Sequence, residues 1–507
     1  MKTIKISHFG GARGENELVI YNEGASTRTN AYGIEAVVVD GRVVKYGSND
    51  NEIPKGGYVV SGHGKGAGFI SGEMAIGCAV RINGDVLEVE KDEGSKKLEC
   101  EVLKAEIMER YAVRKEREDE FDTTEIEAGL VKADELIGGG CYDEAKVVLE
   151  ELYYLTALSK KGEVRAIWHR PNERSAADVE ATVKRLHDIG FNMILIETNY
   201  EGWANAKKCV YPFLPLRHEF ENTDFDIIEE YIKCGKKYGV EIHAWVEDFF
   251  FGVEGHGCKM MELHPELIAR TKDGGYLVDA YKTFIFLNPA SEKVHDLLVG
   301  MYKDLLDNYD FDGLQLDYIR YPVIYSVDNS AGFEEDTIAQ FLADTGIDVR
   351  TIESVHTEEW RKFNEWRADK ITGYVKRIVE LVNSYKAAGR NVKLSTAVFG
   401  NPQEAINLKC QNWLYWTKQG WLDFISPMAY LNDAKDVGKE VAHMVENYGE
   451  VPNVAGIAPM YNHLPVIEAT KQVEECRKAG AVGVAFFEAR ACNDLQAEKL
   501  MKGVFRK

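Results

Sequence analysis

From residue 164 onward, short apolar runs alternate with longer stretches in which apolar residues recur every three or four positions. The short runs (164–168, 193–197, 241–246, 313–316, 392–398, 424–426, 454–458 and 483–487) carry Val, Ile and Leu with little polar alternation, as strands covered on both faces do. The stretches between them (178–188, 226–238, 292–308, 359–385, 413–418, 436–448 and 465–478) read as amphipathic helices, and Gly190, Gly239 and Gly480 close three of them before the next strand. Eight strand–helix repeats predict an α/β fold, a (β/α)8 TIM barrel over residues 161–507. No G-x-G-x-x-G follows the first strand, which removes the basis for a dinucleotide-binding reading.

The first 160 residues follow other periods. Alternating runs at 18–21, 34–39 and 58–60, with turn signals at Asp40-Gly41 and Asn83-Gly84-Asp85, predict an all-β module over residues 1–90. The glycine cluster at 62–68 is read there as a turn, because no Lys-Ser/Thr pair closes it and Phe69 and Ile70 are read as a strand. Residues 91–160 change to Lys, Glu and Ala with apolar positions at helical spacing, broken at Gly138-Gly139-Gly140; they predict two or three connecting helices.

Composition narrows the class. Apolar residues make up 45% of the 507-residue chain, enough for a sizeable core, and the formal charge of −22 argues against nucleic acid as a partner. Nine scattered cysteines with no C-x-x-C pair fit neither a disulfide framework nor a zinc site. The first residues lack the apolar core of a signal peptide and no long apolar run is present, so the expectation is a cytoplasmic protein with no membrane partner, or a secreted one if a leader has been trimmed. The oligomeric state is left open.

The chemistry concentrates at the predicted strand ends, the catalytic face of such barrels. The fourth strand delivers Asp317, followed by Arg320 and Tyr321. The first ends at Trp168, His169 and Arg170, and the second at Glu197, Asn199 and Tyr200, with Trp203 beyond. The third ends at Trp245, Glu247 and Asp248, the sixth at Tyr430, the seventh at Tyr461 and the eighth at Glu488. Carboxylates among aromatic rings suit glycoside hydrolysis, in which two acids flank the scissile bond and rings stack on sugars. Asp317 is the first catalytic candidate, as nucleophile or acid. Glu247 leads as its partner, with Glu488 and Glu197 behind it. His169, Arg170, Glu197, Asn288 and Arg320 are candidates to orient hydroxyls, and Trp203, Trp245, Tyr321, Tyr430 and Tyr461 to stack on rings. No His/Asp/Glu set has metal-ligand spacing, so neither a metal nor another cofactor is expected.

The barrel half resembles the glycosyl-hydrolase-like family ten. The matching pieces are 164–168, 243–246, Phe286-Leu287-Asn288-Pro289, Phe311-Asp312-Gly313-Leu314-Gln315-Leu316-Asp317-Tyr318 with Tyr321-Pro322, Trp366-Arg367 and Ile425-Ser426-Pro427-Met428-Ala429-Tyr430. The resemblance implies a glycoside-hydrolase-like barrel acting on an oligo- or polysaccharide, with a bacterial cell-wall glycan as one candidate. The sequence departs from the family at Met428, where the sixth strand usually carries Gln. The fourth-strand motif is also similar to that of the family-18 chitinases, but Gln315 and Ile319 stand where those enzymes carry acids, so Asp317 must act differently. The alternative is a non-catalytic glycan-binding barrel in which the β module binds and the carboxylates are structural.

Overall fold

The computed structural model describes residues 1–117, 121–279, 282–448 and 450–507. Eight parallel strands form the barrel: β1 (Val164–His169), β2 (Met193–Tyr200), β3 (Glu241–Glu247), β4 (Gly313–Asp317), β5 (Lys393–Val398), β6 (Phe424–Pro427), β7 (Val454–Ile457) and β8 (Gly483–Phe486). Each is followed by a helix: α1 (Ala176–Ile189), α2 (Ile227–Tyr238), α3 (Glu292–Asn308), α4 (Glu358–Ala387), α5 (Trp413–Lys418), α6 (Ala434–Tyr448), α7 (Val466–Lys478) and α8 (Asp494–Lys502). All eight expected strands are present. Ladders run continuously in the order β6-β5-β4-β3-β2-β1-β8-β7. The last seam, β6 to β7, is held only by isolated parallel bridges at Ile425–Asn453 and Met428–Gly456, so the barrel is nearly closed.

Local chemistry sets the element ends. Ser175 caps α1 by accepting from the Asp178 amide, and Asp226 caps α2 by accepting from the Ile228 and Glu229 amides. Gly190 and Gly239 end these helices in the left-handed conformation, as expected. Along each strand, period-two alternation sends one set of side chains to the helices and the other into the barrel. Ile167, Ile194, Ile196, Ile242, Leu314 and Leu316 pack outward, while Ala166, Trp168, Leu195, Trp245, Phe424 and Ala485 fill the interior. His243 belongs to the interior set: its ring lies 6.0 Å from that of Phe424, and a Cβ on Gly313 would meet its Nδ1 at 2.4 Å. Gly313 is therefore the residue that lets a full imidazole occupy the floor below Asp317.

The N-terminal sheet has eight strands, from Lys2–Lys5 to Val86–Glu90, with hairpins at both expected turns. One expectation fails. Phe69 and Ile70 are not strand but part of a helix, Lys65–Glu73, so the module is not all-β. Gly66, Ala67 and Ile70 form the buried stripe of that helix, and the interspersed glycines hide its period. Gly66 is required there because a Cβ would meet the Glu17 carbonyl oxygen at 2.1 Å. The glycine cluster thus leads from strand to helix, and Asn16 Oδ1 accepts from the Lys65 amide at the helix start.

Three helices follow, Glu93–Arg117, Thr124–Gly138 and Tyr142–Leu155, with their own core around Ile107, Ile126, Leu149 and Leu152. Arg110 bonds Glu474 on α7 with both terminal nitrogens, at 2.5 and 2.8 Å. The sheet is tied to α6: Asp436 accepts from Ser48 Oγ and Asn49 Nδ2, both at 3.0 Å, and from Lys439 at 2.9 Å.

Candidate active site

The centre of the site is an adjacent pair at the C-terminal ends of β3 and β4. Glu247 and Asp317 are direct register partners, and the side chains of both continue the interior set of their strands. Neighbouring strands lie about 4.8 Å apart, so the ladder itself brings the two carboxyl groups together.

Their surroundings differ. Asp317 Oδ2 accepts from Trp245 Nε1 at 2.9 Å, and Oδ1 accepts from the Tyr318 amide at 2.7 Å. Tyr318 adopts φ 49°, which turns the chain sharply at the strand end and aims its amide back at the carboxylate. Burial raises Asp317 above the usual carboxylate range, and these two donors, with Arg320 and Arg170 at longer range, limit the rise. Glu247 is fully buried and neither of its carboxyl oxygens has a hydrogen-bond partner among the described residues. Burial first, and then the Glu197 and Asp317 charges, push it well above the ordinary range against the pull of Arg170.

Arg170, at the end of β1, organises the acids. Its Nε donates to Glu197 at 2.9 Å, a terminal nitrogen lies 3.6 Å from Glu247, and its guanidinium sits over the rings of Tyr200 and Trp245. Burial works to lower Arg170, but Glu197 and Glu247 outweigh it and hold it above its ordinary value. Glu197, also fully buried, is pushed up to about 8 by desolvation despite Arg170. One guanidinium facing two buried carboxyl groups leaves the Glu197–Glu247 pair holding at least one proton at neutral pH.

Aromatic rings wall the mouth. Phe487, next after β8, touches Trp168, Trp245, Tyr430 and Tyr461, with centroids at 6.1, 6.3, 5.5 and 5.0 Å. Tyr461 is 54% exposed and Tyr430 half-buried. Below them Trp168 Nε1 donates across the barrel to Gln315 Oε1 at 2.6 Å, and Gln315 Nε2 donates to Ser426 at 3.3 Å. Gln315 therefore braces the barrel floor where a chitinase motif would carry an acid. Glu488 lies beyond Phe487, its carboxylate taken by Arg490 at 3.0 Å.

Several other candidates are placed away from the pair. His169 follows Trp168 and so points outward, where Tyr231 Oη lies 2.6 Å and Glu173 3.2 Å from its Nε2. Asn288 is fully buried and committed to the turn into α3, donating to Thr337 at 2.9 Å and accepting from the Ala290 amide at 2.9 Å. Tyr321 is packed beneath Arg367, 4.8 Å from the guanidinium, with no surface left for a sugar. Trp245 is likewise buried and serves as the donor to Asp317, not as a platform. Trp203 pairs with His218 at 4.9 Å on the β2 loop. Asp248, one residue past Glu247, points into the helix layer and accepts from Tyr302 at 3.1 Å and Tyr374 at 2.5 Å. Phe487, Gln315 and Tyr318 were not anticipated in their roles; a period-two count back from Asp317 reaches Gln315, and one forward from Ala485 reaches Phe487. Among the described residues no three His, Cys, Asp or Glu side chains converge as metal ligands.

Comparison with known proteins follows the barrel. A curated S-layer-related protein from Niallia circulans is 23% identical over 348 residues; the match takes in 58% of this chain and only 21% of that protein's length. The catalytic domain of β-amylase from Paenibacillus polymyxa superposes with a TM-score of 0.47 at 11% identity, covering 68% of this chain and 98% of that domain. A β-galactosidase from Marinomonas ef1 gives 0.46 at 11% identity, with 66% and 58% covered. The sequence pattern of the family described as Glycosyl hydrolase-like 10 matches residues 163–466, more than half of the chain and all of the barrel up to the start of α7. The chain belongs to the glycosyl hydrolase-like 10 family.

Proposed function

We propose that this protein is a glycoside hydrolase of oligo- or polysaccharides, with Glu247 as proton donor and Asp317 as nucleophile or base. The observation that carries the reading is the register pair Glu247–Asp317, two adjacent carboxyl groups in opposed environments. A carboxyl group without hydrogen-bond donors in a buried site keeps its proton, which suits it to protonate a leaving glycosidic oxygen. A carboxylate fed by an indole N–H and a backbone amide is stabilised as the anion, which suits it to attack the anomeric carbon or to activate water. Arg170 orients Glu247 and Glu197, and Tyr430, Tyr461 and Phe487 offer ring faces and edges for sugar stacking. Glycan release from a panel spanning neutral and acidic polysaccharides, with Asp317→Asn as the control, tests the reading. Release that persists unchanged in the control rejects it.

The pH profile should be bell-shaped. The acid limb reports ionisation of Asp317, displaced upward from the usual carboxylate range, and the alkaline limb reports loss of the proton shared by Glu247 and Glu197. Glu247→Gln should lower kcat and remove the alkaline limb; an alkaline limb unmoved in that variant assigns the proton to another group.

A glycan-binding barrel without turnover is the second reading. The complete burial of Glu247 favours it, because a proton donor must reach its substrate. Binding of an oligosaccharide that is never cleaved, with equal affinity in wild type and Glu247→Gln, would select it.

A further inference from the structure

Arg320, near the proposed catalytic pair, and Lys409, near Arg320, have no ion-pair partner among the described residues; Asp317 and Glu247 act on Arg320, and Glu404 on Lys409, only at longer range. Arg320, three residues past Asp317, makes a single hydrogen bond among the described residues, to its neighbour's carbonyl oxygen at 3.3 Å, and otherwise lies over the rings of Tyr318 and Phe399 at 4.7 and 5.2 Å. Lys409, the last residue of a short helix after β5 (Pro402–Lys409), is 5% exposed, and its ammonium rests 3.7 Å from the centroid of the same Phe399 ring. Among the described residues no carboxylate lies within ion-pairing distance of either. The segment that carries Lys409 is fixed against the β4 loop: the Tyr321 amide donates to the Lys409 carbonyl and the Ile324 amide to that of Leu408, both at 2.9 Å.

Several other largely buried cations of this acidic molecule do have a carboxylate partner. The chain has 83 Asp and Glu against 61 Lys and Arg. Arg165 and Arg477 share Glu163 and Arg110 holds Glu474, while Arg367 donates from its terminal nitrogens to Ser330, Ala331 and Asn364 and leaves its Nε without a partner among the described residues. A buried ammonium facing a second positive charge is held at the expense of stability. Burial, and then Arg320, draw Lys409 down to about 8, and burial lowers Arg320 as well. An anion seated between them would relieve both effects, and the guanidinium offers the planar donor fork suited to carboxylate or phosphate.

We propose that Arg320 and Lys409 form a subsite for an anionic substituent, a carboxylate or phosphate carried by the glycan, placed beside the Asp317–Glu247 pair. The substrate class is thereby an acidic glycan. This assignment rests on the reading of the barrel as a glycan hydrolase, and the test separates the two.

The anion site is read first without any glycan. At fixed ionic strength, inorganic phosphate and glucuronate, each against chloride, should raise the melting temperature of the wild type. Lys409→Met should lose that ligand-induced rise, and Arg320→Gln should reduce it. Lys409→Met replaces a buried ammonium with an apolar chain of similar shape, so it keeps the test available if Arg320→Gln folds poorly. No rise in the wild type, or an equal rise in Lys409→Met, overturns the proposal. Glycan discrimination is read next in the Asp317→Asn background by calorimetry, with tetragalacturonate against its methyl ester for the carboxylate and a phosphorylated against an unphosphorylated mannotetraose for the phosphate. The charged member of one pair should bind at least tenfold tighter, and that ratio should collapse toward one in Lys409→Met. Anion-dependent binding without hydrolysis of any glycan leaves the subsite standing and removes the hydrolase. Hydrolysis with no preference for either charged member does the reverse.

Discussion

Asp317→Asn is expected to lower turnover by about 10³-fold, within the range for loss of a positioned acid or base, while the fold and glycan binding persist. Asn keeps the shape and can still accept one hydrogen bond, from Trp245 or from the Tyr318 amide, but not both as the carboxylate does. A stability change of about 1 kcal/mol is therefore expected from the second donor left unpaired. The two quantities separate the roles. A purely structural Asp317 would give a large loss of melting temperature with near-normal specific activity in the folded fraction, and a catalytic one the opposite pattern. Both are measured on a single preparation.

The second large effect is on stability. Arg170→Met removes the only cation in contact with Glu197 and Glu247 among the described residues, and it is expected to cost about 3–5 kcal/mol at pH 8, as breaking a buried ion pair does. The sign with pH follows from the direction of the shifts. Glu197 and Glu247 titrate higher in the folded than in the unfolded protein, so the stability they contribute is fully present below the ordinary range near 4.5. It is lost as pH rises toward about 8 for Glu197 and beyond for Glu247. Without Arg170 both groups shift further upward, and the wild-type advantage should widen from pH 5 to pH 8 in urea denaturation. A penalty independent of pH would place the contribution of Arg170 in its packing on Tyr200 and Trp245.

These effects rest on a barrel that was largely legible in the sequence. Strands buried on both faces and glycine-closed helices have strong local signatures, so all eight strands and the position of Asp317 could be read directly. Glu247 could be named because it ends the strand preceding β4, and the ladder makes it the register partner of Asp317. What the sequence did not show depends on long-range packing. His169 and Trp168 differ by one residue and face opposite sides of the wall, and only the pairing of β1 with its neighbours decides which side. Tyr321 follows an apparent catalytic motif but turns into the core because Arg367, contributed by α4, covers it. Lys409 carried no signal at all; it ends the short helix Pro402–Lys409, and its partner ring and neighbouring cation come from elsewhere in the chain. Phe69 and Ile70 were misread because glycine lowers helix propensity while satisfying the close approach to Glu17 that the helix needs.

The incomplete β6–β7 seam has a mechanical consequence. A ladder held by isolated bridges is the place where a barrel opens first, and the connection between those two strands is α6, the helix gripped by Ser48 and Asn49 through Asp436. The N-terminal sheet therefore acts as an external splint on the weakest joint of the wall. Asp436→Ala should release that splint, and amide hydrogen exchange should accelerate at Phe424–Pro427 and Val454–Ile457 while β2 and β3, deep in the continuous ladder, stay protected.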